Sequence, residues 1–278
     1  MPRLSAYMPL NTYPETASDP AILASIAFAA ALGCDLQIST FAVDIPPVAS
    51  PVGGFLIDTD GLSRVVEARS MAECERLRAL VERIDGPTHT VEVKNQKLVM
   101  GAAFDAVAAE ARYHDLAVLP WADATLSAQD LAHALVFGTG LPVILVPPAT
   151  PPTAVDHIAI AWDASRVAAR ALHDALRFLP PGGRVSVLTV QDEKSLNGTN
   201  LAQTLATSLG RRGYSAKAVD ISLEGRSIGA ALQDKARAEG AQLLAMGGFG
   251  HSRLRDFFLG GATKDVLGDL RLPTLLAH

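Results

Sequence analysis

The chain has 278 residues, 49% of them hydrophobic and 19% charged, and a net charge of −5. That length can bury one or two cores, while the acidity and the lack of a long basic run exclude a general nucleic-acid binder. Its longest apolar stretch, "AILASIAFAAALG" at 21–33, is too short to span a bilayer, and Cys34 and Cys74 stand too far apart to indicate a disulfide framework or a thiolate metal site.

In chain order, "LSAYMPL" reads as a strand and is followed by a helix over 19–33, the strand "LQISTFAV" and an insertion, "PPVASPVGGFLIDTDG", at 46–61. A helical segment over 62–84, the strand "HTVEVKN", a helix over 99–113, the strand "LAVLPW", a helix over 128–138 and the strand "PVILVPP" complete this half. The four prolines of "VPPATPPTAV" at 146–155 resist both helix interiors and central strands and make an extended connector. Then come "HIAIAWD" (157–163), a helix from Ser165, "RVSVLTV" (184–190), a helix carrying Leu201, Leu205 and Leu209, and "SAKAVDISL" (215–223). A helix carrying Ile228, Ala231, Leu232 and Ala236, "AQLLAMG" (241–247), the helix "ATKDVLGDL" and the strand "PTLLAH" (273–278) end the chain as given. The helices rest on spacing: Ala168, Ala171, Leu172, Ala175, Leu176 and Leu179 recur at three and four residues, whereas Arg166, Arg170, Asp174 and Arg177 fall elsewhere, so one face meets a sheet and the other meets water. Short, nearly all-apolar strands are those of a parallel sheet covered on both sides.

Two copies of one doubly wound α/β domain, residues 1–150 and 151–278, are the economical reading. The two copies end alike, "DLAVLPW" and "GLPVILV" against "QLLAMGG" and "RLPTLLA". They differ in the connection before the last helix. The second copy has "GGFGHSRLRDFFLGGAT" (247–263), with glycines on both sides of the loop, and the first has the glycine-free "WADATLSAQD". In an open α/β sheet, ligands bind beyond the carboxyl ends of the strands, where glycine admits an anion to backbone N–H groups and a helix N-terminus adds partial positive charge. No G-x-x-x-x-G-K-[ST] occurs and no G-x-G-x-x-G follows the first strand of either copy, so neither a P-loop nor a dinucleotide-binding Rossmann domain is supported. The seven histidines show no metal-ligand spacing, and no metal site is expected.

Gly247-x2-Gly250-x9-Gly260 in "MGGFGHSRLRDFFLGGATKDVL", together with the strand, aspartate and small-x-Ser helix entry of "IAIAWDASRVAARAL", resembles the nucleotide-binding signature of the universal stress protein superfamily. The likeness covers 155–278; residues 1–150 share the element order without the signatures, as in a tandem member with one degenerate copy. It implies two five-stranded Rossmann-like sheets of the adenine nucleotide alpha hydrolase-like kind and a chain that can form a homodimer. The apolar strands "PVILVPP" and "PTLLAH" would each end a sheet with a bare edge, so the halves are expected to pack through them as an internal pseudo-dimer, and the resemblance points the same way. It further implies a cytoplasmic stress-response protein that binds an adenine nucleotide, ATP with or without Mg2+, in its second copy. Asp163 would meet the adenine, with Ala161 and Trp162 nearby and Val190 offering backbone. Met246, Gly247 and Gly250 would line the ribose and phosphate path beside His251, and Gly260, Gly261, Ala262 and Thr263 would bind phosphates through their amides. Where such members carry Ser or Thr after the third glycine, this chain has Gly261; a lost hydrogen bond to a charged oxygen costs about 1.5–3 kcal/mol, roughly ten-fold or more in affinity.

Other readings of these residues stay open. Asp163 is also suited to cap the following helix, and His251 has no sequence partner that would make it a general base. No catalytic residue is named, and hydrolysis, where it occurs, is expected to be slow. A second class of function is a scaffolding protein that binds no nucleotide and acts through its surface and oligomerisation; Gly261 and the glycine-free first copy favour it.

Overall fold

A computed structural model describes residues 3–46, 59–84, 90–99, 102–149, 152–191, 200–248 and 261–278. The first half runs β1 (Leu4–Asn11), α1 (Asp19–Ala31), β2 (Cys34–Asp44), α2 (Thr59–Glu82), β3 (Val91–Val99), α3 (Ala103–Ala111), β4 (Leu116–Pro120), α4 (Leu126–Gly138) and β5 (Val143–Val146). The second half repeats the order as β6 (His157–Ala161), α5 (Arg166–Leu176), β7 (Arg184–Val190), α6 (Leu201–Arg211), β8 (Ser215–Ile221), α7 (Ile228–Ala238), β9 (Leu243–Gly247), α8 (Gly261–Gly268) and β10 (Thr274–Ala277). Among the described residues no helix is long and apolar enough to cross a membrane.

Local chemistry explains the helix starts. Ser165, Ser227 and Thr125 each hold an extended conformation and accept a hydrogen bond from the amide three residues on, at 3.2, 3.3 and 3.2 Å, which satisfies one of the orphan donors of α5, α7 and α4. The apolar stripe read in α5 is the buried one: Val167, Ala168, Ala171, Leu172, Ala175 and Leu176. Most helix boundaries shift by two or three residues from the sequence reading, α2 starting at Thr59 inside the expected insertion and α4 at Leu126; the largest shift is in α3. The helix expected over 99–113 is shorter, because β3 continues through Gln96 and Lys97 to Val99, in register with β2 up to Asp44. Lys97 Nζ lies 2.7 Å from Asp44 Oδ1 on the exposed side of this outer strand, while Gln96, pointing the other way, donates to Glu110 Oε2 at 2.8 Å.

The strand order is β3-β2-β1-β4-β5-β10-β9-β6-β7-β8. Within each half all pairs are parallel. At the centre β10 runs antiparallel to β5, with Thr274 opposite Leu145, Leu275 opposite Ile144 and Leu276 opposite Val143. The two expected five-stranded sheets are therefore one ten-stranded sheet, joined through the final strand of each half. One core layer unites Phe28 of α1, Leu77 of α2, Leu172 of α5 and Leu205 of α6 with Met8, Ile144, Ile158 and Leu275. On the opposite face Val107 of α3, Leu135 of α4 and Val266 of α8 pack with Leu145, Met246 and Leu276, and α7 covers the remainder through Leu232 and Ala236. Arg177 at the C-terminal end of α5 reaches Asp115 at 2.7 Å and Trp121 Nε1 donates to Leu267 O at 2.9 Å, so polar contacts cross the seam as well.

One buried polar residue gives the fold a pH dependence. His157, at the start of β6, is 3% exposed and sits 2.9 Å from Ser186 Oγ on β7. Burial, and then the Arg184 cation, hold its pKa below the usual histidine value; burial does the same to His114. An unfolded histidine titrates near pH ~6.5, so the unfolded chain takes up protons there before the folded one does. The stability carried by the neutral rings is present above that pH and is lost as pH falls through the lower folded values. Thermal unfolding should thus be flat from about pH 8 to 7 and should decline below about 6.5, and His157→Gln should weaken that decline. An identical decline in the variant would put the effect elsewhere.

Candidate functional site

In the second half the chain leaves β6 toward α5 and β7 on one side, and leaves β9 toward α8 and β10 on the other. Connections diverging from neighbouring strands open a crevice at their carboxyl ends, the usual ligand position in this class of sheet. Ala161, Trp162 and Asp163 stand at the β6 exit, Val190 ends β7, and Met246 and Gly247 end β9.

The β6 exit is tightly defined. Trp162 N donates to Leu188 O at 2.8 Å, and Thr189 Oγ1 donates to Trp162 O at 3.0 Å. Asp163 Oδ1 then accepts the Ser165 amide at 2.8 Å, Ala164 has φ +60°, and Ser165 caps α5. Asp163 thus closes a turn two residues long, and the helix cap suggested for it belongs to Ser165. Asp163, Trp162 and Ala161 are all half-buried, and Trp162 packs against the core.

The β9 side is set by close backbone approach. A β-carbon on Gly247 would lie 2.5 Å from Val167 Cγ2 and 2.9 Å from Ala168 N, so the first turn of α5 rests directly on this strand end. Gly229 does the same for α8: a β-carbon there would meet Asp265 Cβ at 2.5 Å and Val266 N at 2.8 Å. The sequence reading passed over Gly229, although a glycine inside an otherwise helical pattern is a signal of close packing. Met246 is 4% exposed in the core that spans both halves, and Val190 is 6% exposed, so each has its backbone rather than its side chain to offer. At the start of α8, Gly261 is exposed, Ala262 half-buried and Thr263 3% exposed. Gly250, His251 and Gly260 lie outside the described residues, as does most of the loop between β9 and α8.

The first half treats the matching position differently. Its connection from β4 to α4 spans only 121–125. Asn11 Nδ2 at the end of β1 donates to Ser127 Oγ in the first turn of α4 at 2.8 Å, bridging the gap that a ligand would need. Next to it, Thr12 Oγ1 donates to Phe41 O at 2.6 Å and meets Ser70 Oγ at 2.6 Å, and Trp121 is buried with its ring N–H committed to Leu267. A cavity of about 260 Å³ lined by Arg78, Val81, Glu82, Ile84, Val91 and Val93 lies beside the outer strand β3, away from both crevices.

Comparison with known proteins accords with this geometry. The model of the universal stress protein family matches residues 154–278. A universal stress protein from Archaeoglobus fulgidus superposes with a TM-score of 0.71 at 16% identity, over 98% of this chain and 95% of that one. A functionally unknown protein from Pseudomonas aeruginosa superposes with a TM-score of 0.53 at 13% identity, over 99% and 92%. At such identities the superpositions establish the shared fold across both halves. A search of curated proteins found no match.

Proposed function

The second half of the chain, residues 154–278, belongs to the universal stress protein family, and from that premise we propose that it binds an adenine nucleotide, ATP with or without Mg2+, at the β6–β9 crevice. The observation that carries this reading is the β6 exit: the Asp163 turn and the Ser165 cap fix the start of α5, and its first turn rests on Gly247 at the end of β9, so a helix N-terminus borders the crevice. Asp163 and the backbone of Val190 are assigned to the base; Gly247, Gly250 and His251 to the ribose and phosphate path; Gly260, Gly261, Ala262 and Thr263 to the phosphates. Bound nucleotide would bias the conformation or partner choice of a cytoplasmic stress-response protein. No base or nucleophile is assigned, so any hydrolysis is slow. Titration calorimetry should give one ATP per chain, because the first crevice is bridged by Asn11 and Ser127. Two equivalent sites would overturn the assignment.

Gly261 offers a direct gain-of-function test. Among the described residues nothing lies within 4 Å of a β-carbon added there, so Gly261→Ser meets no clash with them. A new hydrogen bond to a phosphate oxygen should tighten ATP by roughly ten-fold, read as a lower Kd with an unchanged melting temperature. An unaltered Kd would mean that no phosphate comes within reach of this position.

The bridged first crevice also favours a second reading, a scaffolding protein without nucleotide. Mass spectrometry of the protein as purified separates the two: co-purifying ATP or AMP supports the first, and a site that stays empty at saturating ATP supports the second.

A further inference from the structure

The antiparallel seam carries a geometric consequence for the crevice. Since β5 and β10 run in opposite directions, the carboxyl ends of the second half's strands share an end of the sheet with the amino end of β5. Helix α4 leaves β4 and returns to the start of β5, so its C-terminal end arrives beside the β6–β9 crevice of the other half. Several contacts occur there. Gly248, the first residue after β9, donates its amide to Ala277 O at 2.8 Å. Its carbonyl faces His278 Nδ1 at 3.2 Å; a carbonyl only accepts, so the ring nitrogen donates. The His278 ring stands edge-on to Phe137 of α4, centroids 4.7 Å apart at 62°, and Phe137 meets His133 at 4.5 Å. A β-carbon on Gly248 would lie 3.6 Å from Val136 Cγ1. Arg170 of α5 donates to Gly140 O just beyond α4 at 2.8 Å, tying the same helix end to the crevice's other wall.

Phe137 is 40% exposed and belongs to none of the buried cores, so its burial alone does not account for its place against His278. We propose that the first half serves the second as a built-in positioning subunit: Phe137 holds the His278 ring, and His278 fixes the Gly248 peptide at the rim of the crevice. Both backbone polar groups of Gly248 are then committed, its N–H to Ala277 of β10 and its C=O to His278 just beyond that strand, which sets the direction in which the chain leaves β9. Phe137 and His278 are positioning residues, and their effect on ligand rests on the nucleotide reading above; their effect on the β9 exit does not.

The experiment uses the full chain and two readouts. Hydrogen exchange by mass spectrometry without ligand should show the amides at 245–248 exchanging about ten-fold faster in Phe137→Ala and His278→Ala, with β7 and β8 unchanged. His278→Gln, which keeps a side-chain N–H donor, should return exchange to near the unmodified rate. ATP titration of the same proteins should show affinity weakened about five- to ten-fold in the two alanine variants and restored in His278→Gln. Unchanged exchange in both alanine variants overturns the proposal, as does His278→Gln exchanging as fast as His278→Ala. Should the unmodified protein bind no ATP while exchange responds as described, the nucleotide reading fails and the positioning role stands. Should ATP bind equally to all variants with exchange unaltered, the positioning role fails and the nucleotide reading stands.

Discussion

Replacing Leu275 and Leu276 together by aspartate is expected to open the centre of the sheet and to unfold much of the second half. The two side chains are 0% and 1% exposed and point to opposite faces of β10, Leu275 into the layer with α1, α2, α5 and α6, Leu276 into the layer with α3, α4 and α8. Each substitution forfeits about 1.5–3 kcal/mol of apolar burial and places an unpaired carboxylate where desolvation costs several kcal/mol more. The sum is comparable with the entire stability of an ordinary domain, about 5–15 kcal/mol. Because β10 pairs with both β5 and β9, the damage separates the halves as well as loosening one. Small-angle scattering should report a longer particle, and denaturant unfolding should lose its cooperative transition. Arg177→Ala is the contrasting case: its ion pair with Asp115 also crosses the seam but is 42% and 37% exposed, and such a pair contributes about 1 kcal/mol or less. An unaltered scattering profile for the double aspartate variant would show that the strand pairing does not join the halves.

Gly247→Val should have the next largest effect. The first added carbon would already be 2.5 Å from Val167 Cγ2 and 2.9 Å from the Ala168 nitrogen. Overpacking of this kind costs about 1–3 kcal/mol or more, and relief comes only by moving the first turn of α5 away from β9. The Asp163 turn and the Ser165 cap lead directly into that turn, so the proposed ATP binding should be lost together with the stability. Adding Val167→Ala removes the side-chain part of the clash and leaves the Ala168 nitrogen in place. The double variant should recover part of the stability, with a coupling energy of about 0.5–3 kcal/mol in a double-mutant cycle. Strict additivity would mean that Gly247 and Val167 do not meet.

The element order was legible because it rests on local causes. β7 occupies the span read from "RVSVLTV", and α5 buries the stripe read from its spacing. The seam was legible too, since two apolar strands that each end a sheet would otherwise leave edges bare. The end of β3 was not. The strand read from "HTVEVKN" stops at Asn95, and the mixed polarity of Gln96 to Val99 carries no local strand signal; their pairing with Phe41 to Asp44 of β2 extends it. In the candidate site, Asp163 and Gly247 could be singled out from sequence, but the cause could not. Spacing suggested that Gly247 makes room for phosphate; the contact that demands a glycine there, with or without ligand, is with α5. Gly229, the Asn11 to Ser127 bridge and the Phe137–His278 pair depend on residues 36 to 141 positions apart in sequence being brought together by the fold, and no local pattern encodes such meetings.

The central β5–β10 pairing would make a symmetric dimer if the two halves were separate and identical chains. At such an interface every substitution enters twice, so a change that helps one copy must be tolerated in the other. Here each position mutates alone. Trp121 after β4 could become a buried brace reaching Leu267, while its counterpart after β9, Gly248, stayed small at the crevice rim. Covalent linkage also makes the association independent of protein concentration: on dilution, a pair of separate chains would come apart, whereas this seam retains its partner. The chain can therefore divide labour between its halves without ever having to find its other half.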